Sequence, residues 1–268
     1  MLIEIRHITT YRYPAGTRYA IQSLRLTPPS FESQRILDWK INAPGIESAA
    51  VFRDGFGNLV HLAAVAESDE EAVIEASGTV QTADTSGIVR GTAERVPLRV
   101  FLRETPHTMP NDAIRELAHS LQGADPLDRL HALMHAVRAA VRYEVGATDG
   151  HTSAAEALAD GRGVCQDHAH LFSSAARVLS IPARYVNGYF LAGEDVVAEA
   201  HHAWAEAWVG GLGWVGFDPA NGVCPTEHYV RLAVGLDARS AAPIRGIRRG
   251  GTGATLDVRV EVQQQVAQ

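Results

Sequence analysis

Cysteine is scarce in this chain: there are two among 268 residues, Cys165 and Cys224. That is too few for a disulfide framework, so each thiol has to be judged on its surroundings. Long apolar runs are also missing. No window approaches the roughly 18 apolar residues that a membrane-spanning helix needs. The N-terminus, Met1-Leu2-Ile3-Glu4-Ile5-Arg6-His7, alternates and carries charge, unlike a signal peptide. These absences predict a soluble chain of the reducing cytoplasm with no membrane partner. Positive charge is short too, with 24 Lys and Arg against 31 Asp and Glu, a net charge of −7. A nucleic-acid partner, which calls for a basic face, is therefore not expected. The basic cluster Arg245, Arg248 and Arg249 reads as a solvated Gly-rich loop. Twelve histidines occur, but without a second cysteine pair or a His-Glu-x-x-His motif, so neither a metal site nor a cofactor is expected.

The first hundred residues read as short strands. Leu2–Tyr13 alternates and is closed by Pro14 and Gly16; further strands are written at Tyr19–Thr27, Ile36–Ala43, Leu59–Val65, Ala72–Val80 and Leu98–Leu102. Turn signals such as Asp54-Gly55-Phe56-Gly57-Asn58 separate them, which suggests an antiparallel β-sandwich or small barrel. After Thr105-Pro106 the period becomes helical. Asn111 or Asp112 can cap a first helix, Pro126–Tyr143 carries a second, and Thr152-Ser153 caps a third through Leu158. A fourth begins at Cys165 and runs through Leu179, and strands return at Ala183–Tyr189, His202–Trp208, Gly213–Asp218 and Tyr229–Val234. Thr255–Val262 alternates cleanly without a local partner and is expected to join a sheet of the N-terminal part. The fold class is α+β: a sandwich-like unit over 1–105, a helix cluster on an antiparallel sheet over 106–235, and a returning tail over 236–268.

The chemistry centres on Gly161-Arg162-Gly163-Val164-Cys165-Gln166-Asp167. Glycines and a β-branched residue followed by an Ala-rich run place Cys165 at a helix start. Unpaired backbone N–H groups and the helix dipole favour a thiolate there. Asp167 belongs to the same first turn. A thiolate nucleophile needs a base and a group to orient that base. His201 and His202 are adjacent, and since neighbours on a strand face opposite ways, one of the two can face the cysteine. The Gly210-Gly211 turn makes a hairpin that brings Asp218 near the pair. Glu206 shares a face with Trp204 and Trp208 and suits a buried ion pair, with Arg184 as a partner. His168 and His170 read as packing or hydrogen-bonded residues on the helix, Asn221-Gly222 as a turn, and Cys224 as structural.

Gly-Val-Cys-Gln-Asp at 163–167, His-Ala-Trp at 202–204 and Gly-Trp-Val-Gly-Phe-Asp-Pro at 213–219 together resemble the bacterial transglutaminase-like superfamily. Ser180-Ile181-Pro182-Ala183-Arg184-Tyr185-Val186 fits the same pattern, and Tyr11-Arg12-Tyr13-Pro14, Leu24-Arg25-Leu26-Thr27-Pro28 and Asp54–Asn58 resemble the β-rich region that precedes the core in bacterial members. The resemblance implies a papain-like α+β core with Cys165 as nucleophile, His202 as base and Asp218 as its orienter; the choice of His202 over His201 rests on the His-Ala-Trp triplet. It implies acyl transfer from a peptide or glutamine-type amide of a peptide or protein substrate through a thioester, with hydrolysis (protease or amidase) ahead of transamidation. Gln166 and Trp204 are expected near the oxyanion or substrate. A catalytically silent peptide-binding module is the reading from a different class.

Overall fold

The computed structural model describes residues 1–12, 19–66, 71–92, 96–121, 123, 125–192, 201–249 and 255–265. The close of the first strand at Tyr13, its Pro14–Gly16 turn and the Gly-rich segment 250–254 lie outside the described residues. Eight strands make two antiparallel sheets. One holds β1 (Leu2–Arg12), β3 (Gln34–Asn42), β6 (Glu71–Thr82) and β15 (Thr255–Gln264) in the order β15-β1-β6-β3. The other holds β2 (Tyr19–Leu24), β4 (Ala50–Arg53), β5 (Leu59–Ala66) and β14 (Ile244–Arg249) in the order β14-β2-β5-β4. Period-two alternation turns Ile3, Ile5, Ile74, Ala76 and Val80 inward against Leu24, Leu26 and Ala63. β15 pairs with β1 along ten residues, from Ile3 opposite Gln264 to Arg12 opposite Thr255.

A third sheet carries β7 (Ile88–Val89), β10 (Ala183–Phe190), β11 (His201–Val209), β12 (Gly213–Phe217) and β13 (Tyr229–Gly235), in the order β13-β10-β11-β12-β7. Against it pack α1 (Asp112–Ser120), α2 (Pro126–Ala140), α3 (Ala154–Asp160) and α4 (Cys165–Val178). Each of the first three begins on a side-chain cap: Asn111 accepts from the Ile114 N–H, Asp125 from Leu127, and Ser153 forms a reciprocal capping box with Glu156. Their apolar stripe (Ile114, Leu130, Leu133, Met134 and Val137) joins Phe172 and Ala176 of α4 in one core. Ala205 and Ala207 belong to that core, and their small side chains let α4 lie close on β11. Tyr189, Val230, Leu232 and Ala233 of this sheet are buried in the sandwich's own core, so the two halves share apolar interior.

The structure corrects three expectations. Leu98–Leu102 forms a 3-10 helix, because Phe101 has to drop into a pocket beside Trp214 (ring centroids 5.0 Å apart). A five-residue apolar run cannot distinguish these outcomes by period. The second helix stops at Ala140, and Arg142–Tyr143 becomes β8, pairing in parallel with β9 (Arg162–Gly163) just ahead of α4. Arg245, Arg248 and Arg249 lie on β14 rather than in a loop, since the open edge of β2 offers ladder bonds that a solvated loop would forgo.

Candidate active site

Gly163 ends β9, and a side chain there would meet the Asp167 carboxylate at 2.7 Å, so glycine is needed for the chain to turn tightly into α4. Asp167 is fully buried at the third helical position, where its Oδ2 accepts from the Val164 N–H at 2.8 Å and from the Thr148 hydroxyl at 2.6 Å. Burial raises its carboxyl above the ordinary value, against these hydrogen bonds. The arrangement ties loop residue Thr148 to the start of the helix and presents Cys165, half-buried and free, as its first residue. Gln166 sits half-buried beside it in the same turn.

His202 and Asp218 reach this point from the β11–β12 hairpin. His202 Nε2 lies 2.7 Å from Asp218 Oδ2, and Cys165 is close enough to act on the imidazole. With Nε2 taken by the carboxylate, Nδ1 is the nitrogen left for the thiol. Burial opposes charge on His202, but hydrogen bonds to Asp218 and Cys165 and the charges of both outweigh it and lift the imidazole to about 10. Asp218 is fully buried; desolvation acts to raise it, and the hydrogen bond and charge of His202, with help from Tyr229 and Asn221, hold it below the usual carboxylate range. His201 turns elsewhere, its ring 5.8 Å from that of His7, and burial brings it down to about 4. The structure thus brings Cys165, His202 and Asp218 together and leaves His201 out.

Trp204 lines only a small cavity of about 40 Å³, which it shares with Glu206, Tyr229 and Arg231. Its indole is 2% exposed, edge-on to the Tyr229 ring at 5.4 Å, and it lies so close over Gly188 that a Cβ there would fall 2.5 Å from the ring. The expectation of substrate contact is corrected on that ground: the side chain is buried against Tyr229 and Gly188, and the cavity beside it is too small for a peptide. Glu206 is buried between Arg184 and Arg231, with Arg231 Nε at 2.9 Å and the Arg184 guanidinium also 3.9 Å above the Trp214 ring. His168 bonds the Val164 and Val141 carbonyls, and His170 Nε2 accepts from the Ala238 N–H. Cys224 is half-buried, and burial pushes its thiol up to about 11.

Two residues of this network are not read from the sequence as part of the site: Asn221, read as a turn, and Tyr229. Asn221 donates from its side chain to Asp218 Oδ2 at 2.7 Å and from its backbone to Oδ1 at 3.2 Å. Its place three residues after an aspartate, in Asp-Pro-Ala-Asn-Gly, is the signal that ties this turn to Asp218. Tyr229 donates its hydroxyl to the same Oδ2 at 2.8 Å, and no local pattern announces it.

Comparison with known proteins agrees with this architecture. The profile of the transglutaminase-like superfamily matches residues 115–219, and that of the bacterial transglutaminase-like N-terminal region matches residues 3–81. An uncharacterised protein of Mycobacterium leprae is 30% identical over 97% of this chain and 98% of its own length. An uncharacterised Mycobacterium tuberculosis protein is 28% identical over 97% of this chain and 91% of its own. Among solved structures, a candidate cysteine protease from Cytophaga hutchinsonii superposes with a TM-score of 0.78 at 27% identity, covering 100% of this chain and 92% of that one. The chain belongs to the transglutaminase-like superfamily, with the bacterial N-terminal region joined to the core.

Proposed function

We propose that this protein is a cysteine-dependent hydrolase of amides in peptides or proteins, acting through Cys165, His202 and Asp218. The observation that carries the reading is the bond from His202 Nε2 to buried Asp218 at 2.7 Å, with Cys165 at the start of α4 close enough to act on the same imidazole. In this reading Asp218 holds the imidazole by Nε2 and keeps it cationic, and Nδ1 faces the sulfur. The thiolate attacks the amide carbonyl, and negative charge collects on the carbonyl oxygen. As the first residue of α4, Cys165 has a backbone N–H that makes no bond within the helix and is aimed at that oxygen. The tetrahedral adduct collapses, His202 gives its proton to the departing amine, and a thioester remains. Water then attacks, His202 takes the proton, and acid and thiolate are released.

The resemblance to the Cytophaga candidate cysteine protease supports hydrolysis over amine transfer. Both cysteines are free among the described residues, which suits a reducing cytoplasm. The test is mass-spectrometric profiling of wild type and Cys165→Ala against peptide and glutamine-amide libraries, with and without added primary amine. Release of acid that Cys165→Ala abolishes is the expected result. Amine incorporation would assign transamidation instead. Peptide retention equal in both proteins, with no turnover in either, would make the chain a binding module.

A further inference from the structure

Tyr229 opens β13, the edge strand of the third sheet, and lies in a cage of rings: Phe190 at 4.6 Å, Trp204 at 5.4 Å and His202 at 6.0 Å between centroids. Its hydroxyl donates to Asp218 Oδ2 at 2.8 Å and accepts from the Asn221 amide at 3.3 Å. What fixes the far side of β13 comes from the sandwich. Gln34, at the start of β3, accepts from the Arg231 N–H at 2.7 Å and donates to the Arg231 carbonyl at 2.8 Å, while the same amide donates to Pro29 at 2.7 Å. Asn58, just before β5, accepts from the Val234 N–H at 2.9 Å and donates to its carbonyl at 2.8 Å, and it is anchored on Asp54 at 3.0 Å. Each amide imitates the N–H and C=O of a neighbouring strand, at points two and five residues beyond Tyr229. Both amides are buried. Such bonds weaken steeply with displacement, so two of them fix the strand's position closely.

We infer that Tyr229 is a positioning residue for the Asp218–His202 pair, and that the sandwich sets its place by holding the outer edge of β13 through Gln34 and Asn58. The sandwich is then a working part of the site and not an appended binding unit. This rests on the Cys165–His202–Asp218 reading above. The titratable groups facing His202 are Cys165 from α4 and Asp218 beyond β12, with His201 beside it on β11; Asp218 and Cys224 face Tyr229.

The test needs no substrate. Iodoacetamide alkylates a thiolate, forming a thioether and releasing iodide, and peptide mass spectrometry gives the rate at Cys165 in the full chain from pH 5 to pH 11. Wild type is compared with Tyr229→Phe, Gln34→Met, Asn58→Leu and the double variants Tyr229→Phe/Gln34→Met and Tyr229→Phe/Asn58→Leu, each checked for folding by circular dichroism. The upper step in rate, where His202 gives up its proton, moves upward in Tyr229→Phe by about half to one pH unit. Asp218 has then lost a donor and holds the imidazolium more tightly. Gln34→Met and Asn58→Leu move it the same way by a smaller amount. Neither amide change adds anything in the Tyr229→Phe background, because no hydroxyl remains to be displaced. Should one amide variant not fold, the other carries the comparison. An upper step unmoved in Tyr229→Phe, or amide variants that shift it equally with and without the hydroxyl, overturns the inference. Failure of the underlying reading looks different: wild type then shows no upper step that His202→Ala removes.

Discussion

Replacing Asp218 with asparagine keeps the shape of the side chain and removes its charge. In the native protein His202 stands at about 10 although burial opposes its charge. Against its ordinary 6.5, and at about 1.4 kcal/mol per pH unit, that is about 5 kcal/mol in favour of the imidazolium. The figure is an upper bound for Asp218, since Cys165 contributes to the same lift. In Asp218→Asn only Cys165 is left to offset burial, so His202 falls well below 10 and is largely neutral by pH 8. The sign follows from linkage: a base raised by folding contributes stability that is complete below about 6.5 and disappears as pH rises through about 10. Wild type should therefore lose stability across that window, whereas the variant should be less stable at pH 7 and nearly flat above pH 8. Histidine NMR titration reads the protonation, and urea unfolding from pH 6 to pH 10 reads the slope. Iodoacetamide labelling of Cys165 at pH 7 should slow as the ion pair is lost. A variant whose His202 remains protonated at pH 8, or whose unfolding slope matches wild type, would refute the reasoning.

Glu206→Ala leaves the Arg184 and Arg231 guanidinium groups buried without their shared carboxylate; a loss of about 3–5 kcal/mol is expected by urea unfolding, and a loss under 1 kcal/mol would show that the arginines find other partners. Gly163→Ala drives a methyl group against the buried Asp167 carboxylate. It should cost about 1–3 kcal/mol and slow Cys165 labelling at pH 7, unlike a change at the open Gly210, measured in parallel. His7 and His170 are buried and held down to about 3 by that burial, with neighbouring histidines lowering them further. Their contribution is intact above about 6.5 and is lost as pH falls toward 3, at about 1.4 kcal/mol per pH unit for each. His170→Gln should flatten the acid limb of the urea midpoint against pH by about one proton, and an unchanged limb would show that His170 is protonated in the fold.

Caps and periods made the helices legible. Asn111 and Ser153 begin their helices as their side-chain oxygens dictate, because a cap joins groups within three residues of one another. The three motifs around Cys165, His202 and Asp218 were likewise readable, each being local. The neighbouring elements escaped for the converse reason. Leu98–Leu102 and Ile244–Arg249 have no strong period of their own, and what they become depends on Trp214 and on the edge of β2. The sequence by itself determined the α+β class, the helix that starts at Cys165 and the His-Asp hairpin. Only the tertiary structure selected His202 over His201 by geometry, closed Trp204 off and set Tyr229 on Asp218. It alone placed Gln34 on Arg231, 197 residues away. Hydrogen bonds across such separations depend on how whole sheets dock, and no short window of residues records that.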